Sequence, residues 1–242
     1  MKVAVISADA STFDALSNDF ETIDGGLVYA DVKLDTPIKA TLGWSGKDLA
    51  ADPNAPYYTK LATVAGNAVK RGISNKIGDL LGDTRLSANA VTLASVTKKT
   101  LAGLREKCAG AVADTILVLA PDYYAEMLSL FDSSVYGGSD AVQNGYVKNL
   151  YGFARVVEGR NLPDGVKGAL IQRDALAFAS RALAIADEGA YSEVGTVADP
   201  TGLTLTILKH GSPSKNKGFL NVVCVFGGRI VKLDEIKIIK AS

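Results

Sequence analysis

The chain has 242 residues, 48% apolar and 21% charged, enough apolar side chain for a sizeable core and too much for wholesale disorder. Lys plus Arg and Asp plus Glu both number 26, so the formal net charge is zero. That balance excludes a generally basic nucleic-acid binder, which needs surplus cations on phosphates, and the low self-repulsion suits a protein that meets copies of itself.

Cys108 and Cys224 stand in apolar contexts without a CxxC, so two buried free thiols in a reducing compartment are expected. With one histidine, His210, and no clustered cysteines, no common zinc ligand set can be assembled. The opening MKVAVISADASTF lacks the apolar core of a signal peptide, and no run reaches the roughly 20 apolar residues of a membrane span. A cytoplasmic origin is the expectation.

Residues 1–26 read as an extended arm ending at Gly25-Gly26. Residues 27–56 read as a hairpin or long loop: Val28, Ala30, Val32 and Leu34 alternate with polar neighbours, and Ile38 to Trp44 returns as a second strand. Trp44, the single tryptophan, is an anchor either for the local core or for an interface. From Tyr57 to Leu81 the period becomes helical, with Tyr57, Leu61, Val64 and Ala68 on one stripe and Val69, Ile73 and Ile77 on a rotated one. Gly66, Gly72 and Gly78 interrupt this helix and permit close packing or a bend. Its GDLLGD lacks the order of a phosphate loop.

A second helix is expected over Thr92–Cys108, its Lys98, Lys99, Arg105 and Lys107 on a solvated face. Thr115–Leu119 is a buried strand, and Pro121 opens an amphipathic helix in which one of Tyr123 and Tyr124 faces the core and the other the surface. Asn144-Gly145 signals a hairpin turn, Leu150–Val157 a strand with a glycine bulge, and Asn161–Gly165 a further turn. Gly168–Ile171 is a short strand and DALAFASRALAIA, from Asp174, a small-residue helix. The tail is β: Leu203–Ile207, Phe219–Phe226 and Arg229–Ile239, with His210 in a solvent-facing loop and Gly227-Gly228 as a separator.

No GxSxG, GxGxxG or reactive pair emerges, and a triad would depend wholly on His210. The pattern is apolar periodicity and turn chemistry without reactive clusters. It points to a structural protein of α+β class rather than an enzyme, with no cofactor or metal.

The order of elements resembles the major capsid proteins of tailed bacteriophages, whose fold is shared by encapsulin shells. The most specific phrases are DTILVLAPDYYAEML and NGYVKNLYGFARVVEGRNLP, with Asn144, Gly145, Val147, Gly152, Phe153, Val156, Leu162 and Pro163 at the family's positions. The resemblance is specific over about residues 114–185 and otherwise one of arrangement. It implies an N-terminal arm (1–26), an extended hairpin loop (27–56), a peripheral domain with a spine helix (57–112), an axial domain (113–200) and C-terminal strands (201–242) returning to these sheets. It further implies a shell protein of the virion, assembled in the host cytoplasm, whose copies form hexamers and pentamers of an icosahedral shell around double-stranded DNA. A separate scaffolding protein, portal and decoration proteins are implied partners, and no membrane is.

Residues expected at subunit interfaces are Val32, Leu34, Ile38, Trp44, Tyr136, Asn144 and Tyr146; Lys70, Arg71 and Lys76 are expected to face DNA. Deleting residues 30–50 is expected to leave a folded core that cannot form shells. The alternatives are an encapsulin-like nanocompartment shell and a small α+β enzyme with its cleft in residues 120–190.

Overall fold

Two sheets and one long helix carry the architecture of the computed structural model, which describes residues 2–6, 27–34, 36–45, 57–130, 146–148, 150–198, 202–212 and 216–242. The first sheet has five strands: β3 (Thr36–Ser45), β9 (Leu176–Arg181), β10 (Glu193–Ala198), β11 (Thr204–Ser212) and β12 (Lys217–Ile230). Its main path is β10-β11-β12-β3, antiparallel throughout, with β9 on the later half of β12. The second sheet is mixed, in the order β4 (Ala90–Thr92), β13 (Ile236–Lys240), β8 (Val166–Gln172), β5 (Thr115–Leu119), β7 (Arg155–Glu158) and β6 (Tyr146–Lys148). A separate antiparallel ribbon joins β1 (Lys2–Ile6) to β2 (Leu27–Asp31).

The expected long helix is α1 (Tyr57–Leu81), 25 residues laid across β12 and β3. Its buried stripe is Ala65, Val69 and Ile73, packed on Ile38, Ala40 and Leu42 of β3 and on Val222, Cys224 and Phe226 of β12, and buried Leu81 at its end packs in a separate cluster. Val64, expected on the apolar face, is instead 51% exposed, because the stripe that meets the sheet begins one residue later. Gly72 provides the close approach: a Cβ there would stand 2.5 Å from Ile38 Cγ2.

Several sequence expectations are changed by the tertiary structure. Among the described residues of 27–56 the two strands do not pair with each other: β2 pairs with β1, and β3 pairs with β12 along its full ten residues. Because β3 supplies Ile38, Ala40 and Leu42 to the core under α1, deleting residues 30–50 would remove a structural strand rather than an appendage. The Asp174–Ala186 helix is in fact strand β9, in which Ala177 and Ala179 alternate inward against Val32. The helix expected over Thr92–Cys108 shrinks to α2 (Lys98–Leu104) and a following 3₁₀ turn.

Its late start has a local cause. Thr97 and Thr100 form a reciprocal capping box, and the preceding stretch is tethered to α3 (Pro121–Ser129). Tyr123 donates its hydroxyl to Leu93 O at 2.6 Å, and Val96 N–H donates to Glu126 Oε2 at 2.9 Å. Tyr123 and Tyr124 are both buried, so the expected division into one core and one surface ring also fails. Finally, Gly227-Gly228 does not separate strands. β12 runs through them because Gly227 lets the chain at Lys33 come alongside, where a Cβ would collide with its carbonyl oxygen.

The cores follow the layers. One is built from Leu101, Leu104, Leu117, Leu119, Met127, Phe153 and Leu170 around α2, α3 and the second sheet. Another joins the C-terminal end of α1 to both sheets through Leu81, Leu86, Ala169, Ile230, Ile236 and Ile238. Among the described residues, buried Thr115 Oγ1 donates to Gln172 Oε1 at 2.6 Å and buried Thr206 Oγ1 accepts from Leu183 N–H at 2.9 Å, whereas the Tyr124 hydroxyl and Glu235 Oε2 are buried without a hydrogen-bond partner. Among the described residues no helix is long and apolar enough to cross a membrane.

Candidate assembly surfaces

The patterned segment NGYVKNLYGFARVVEGRNLP acts through backbone shape. Its Asn144-Gly145 turn lies outside the described residues. Where a bulged strand was expected, Leu150–Gly152 makes a 3₁₀ turn in which Tyr151 and Gly152 take positive φ, 51° and 84°. This reversal drives Phe153, fully buried, into the core and starts β7 at Arg155, parallel to β5. After β7, Arg160 folds back on Glu158 through Nε and Nη2 at 3.0 and 3.1 Å. Asn161 then meets α1 at Gly78, where a Cβ would collide with the Asn161 carbonyl oxygen, and Pro163 packs over Gly82. The segment therefore clamps the second sheet to the end of the long helix.

Two shallow depressions flank this clamp, of about 470 Å³ beside Asn75, Asp79 and Asn161 and about 280 Å³ beside Asp83, Ser87 and Asp164. Neither gathers catalytic chemistry. Asp83 caps a 3₁₀ turn and is held below the usual carboxylate range by the Arg85 guanidinium, so it is a structural anion. Among the described residues no group of three or more His, Cys, Asp or Glu could hold a metal ion.

His210, expected in a loop, lies in β11. Its ring stacks on Phe219 at 4.9 Å, meets Tyr191 edge-on at 6.0 Å and approaches the Asn221 amide at 3.3 Å. It is one element of an aromatic row, continued by Gly43, over which the Phe219 ring lies. Cys224 is buried and Cys108 half-buried, and burial pushes both thiols up, away from reactive thiolate.

The residues expected at interfaces divide. Val32 is 1% exposed and enclosed by Ala177 and Ala179 of its own chain. Leu34, Ile38 and Trp44 are half-buried, and the Trp44 indole lies directly over Gly218, whose missing side chain makes the room. Tyr146 lies in β6, while Tyr136 and Asn144 fall outside the described residues. Lys70, Arg71 and Lys76 all lie on the exposed side of α1, with Lys76 3.5 Å from Asp79. Lys98, Lys99, Arg105 and Lys107 of α2 and its 3₁₀ extension are likewise exposed, as expected. Sequence reading missed β10: the run EVGTVA lacks strong alternation, yet it forms an edge strand with Val197 48% exposed.

A helix clamped across an antiparallel sheet, joined to a mixed second sheet, is the architecture of phage capsid subunits, and solved capsids share it. The fold matches a chain of Mycobacterium phage Che8 with a TM-score of 0.57 and 15% identity, covering 98% of this chain and 84% of that one. It matches the capsid of the cyanophage P-SCSP1u with a TM-score of 0.60 and 11% identity, covering 100% and 83%. The capsid of a native GTA particle aligns at 0.57 and 14% identity, covering 100% and 85%. Among curated proteins no match is found.

The sequence profile of the phage capsid protein family matches residues 10–234, and the chain belongs to that family. It is a structural capsid protein, a component of the virion that associates with its own kind, and its fold and family are those of shell proteins rather than enzymes. The enzyme alternative, with a cleft in residues 120–190, is thereby set aside.

Proposed function

We propose that copies of this chain join laterally into hexamers and pentamers that close an icosahedral shell around double-stranded DNA. The observation that carries this reading is the family match over nearly the whole chain together with the capsid fold. In this reading α1 and the five-stranded sheet it crosses form the peripheral part, the second sheet with α2 and α3 clusters at the capsomer axes, and the N-terminal arm reaches neighbouring copies. Half-buried Leu34 and Trp44 offer apolar area to a neighbour, Ile38 being taken up under α1 of its own chain, and Tyr136, Asn144 and Tyr146 belong to the subunit interface.

The exposed cations Lys70, Arg71 and Lys76 face the packaged DNA, whose phosphates need local rather than net positive charge. Assembly takes place in the host cytoplasm, with a scaffolding protein, a portal and decoration proteins as partners. Negative-stain microscopy of the purified chain, alone and with a candidate scaffold, tests this. Closed particles of uniform size are expected; a monomer under every condition would overturn the reading. Particles that carry an enzyme and no nucleic acid would favour a cargo compartment instead.

A further inference from the structure

The main path of the five-stranded sheet holds four strands, each antiparallel to the next, so its two edges, β10 and β3, run in opposite directions. A second copy set beside the first in the same orientation therefore brings its β10 antiparallel to this chain's β3. The faces agree as well. Through the registers, Thr196 of β10 shares a face with Thr206, Val223 and Lys39, and Thr41 of β3 lies on that same face.

Proteins that must stay apart block such edges with lysine, proline or a bulge. The β10 edge has none of these devices: after Glu193 it reads VGTVA without charge, its six pairs with β11 are unbroken, and Val197 is 48% exposed. β3 carries Pro37 and Lys39 in its first half, but Ala40–Gly43 is free of both. Among the described residues no strand adjoins its outer side.

We propose that the β10 edge of one copy pairs head-to-tail with the β3 edge, residues 40–43, of a second copy, so that the sheet continues across the subunit boundary. The choice of a second copy as occupant rests on the shell reading above. The competing two-fold contact, β10 on β10, is also antiparallel. It would stop growth at a dimer, whereas a heterologous contact repeats around a ring.

Cysteine pairing in the full chain, with Cys108→Ala as background, separates the two. After mild oxidation, mixing T41C with T196C should give cross-linked pairs, while each alone stays uncross-linked. Homodimers of T196C alone would overturn the proposal.

Because a cysteine pair can miss the register, hydrogen exchange on the wild-type oligomer provides the second measurement. Amides in 40–43 and in 193–198 should exchange at least about tenfold more slowly than in dissociated chains, as paired strand edges do. Unchanged exchange at either strand overturns the pairing. Closed shells with unprotected edges would sink the edge contact and leave the shell reading intact. Open chains or fibres with both edges protected would do the reverse, and a chain that stays monomeric at all concentrations overturns both.

Discussion

Gly78 of α1 and Asn161 of the turn after β7 touch backbone to side-chain position: no side chain fits at residue 78 without striking the Asn161 carbonyl oxygen. The contact joins the long helix to the second sheet, and it makes a helix-weakening residue a requirement. Gly78→Ala should therefore destabilise by about 1–3 kcal/mol, overpacking outweighing the gain in helix propensity. Gly66, with open space around its missing Cβ, is the control. Gly66→Ala should stabilise by up to about 1 kcal/mol. Urea midpoints of both variants against wild type check the pair; equal shifts in the same direction would refute the clamp.

Phe153 is the anchor that the left-handed Tyr151-Gly152 turn inserts into the core. Phe153→Ala should cost about 3–5 kcal/mol through lost burial and a residual cavity. Gly152→Ala, forced to hold φ near 84°, should cost about 1–2 kcal/mol with no contact removed. Thermal unfolding of the two variants measures this order.

Asp122 at the start of α3 is held below the ordinary carboxylate range, first because Lys167 donates to it and also because the Tyr123 N–H does. A depressed carboxyl contributes stability above its unfolded pKa, about 3.9, and loses it as pH falls through the lower folded value. The Lys167 ammonium, raised first by the same hydrogen bond, contributes below its unfolded pKa of about 10.4 and loses this as pH rises through the folded value. Asp122→Asn should thus be modestly less stable than wild type at pH 7. The difference should close as pH falls below about 4. A difference that persists at pH 2 would assign the effect to packing instead.

The two thiols should react in a fixed order. Cys224 lies between α1 and the first sheet, and Cys108 is half-buried at the end of the turn after α2. At pH 8 an aromatic disulfide reagent should modify Cys108 at least about tenfold more slowly than a free thiol, since burial raises its pKa. Cys224 should react only when the chain unfolds, at the rate of the global opening. Native-state modification of Cys224 matching that of Cys108 would contradict the packing of α1.

Much of the architecture was legible in local pattern. The 3.6-residue period over Tyr57–Leu81 gave α1 to the residue, because an amphipathic stripe is written in consecutive sequence. Thr115–Leu119 followed by Pro121 likewise announced a buried strand and a helix start. The Ala-rich stretch after Asp174 was misread because small residues satisfy either period. Only pairing with β12 and the approach of Val32 made it a strand. His210 was misplaced for a similar reason: the Gly, Ser and Pro after it suggested a loop, but β12 offers a long partner on which β11 continues.

The segment NGYVKNLYGFARVVEGRNLP determines locally where the chain must turn: glycine at positive φ and proline after the final asparagine are local backbone facts. What those turns are for was decided by the tertiary structure alone. Gly78 lies 83 positions before Asn161, and no short-range pattern encodes their meeting. The same holds for β3 and β12, whose ten pairs span most of the chain. Sequence by itself determined element type wherever one face had to be buried and the period showed it. Register, partner and the identity of the open edges arose only when distant segments competed for the same apolar surface.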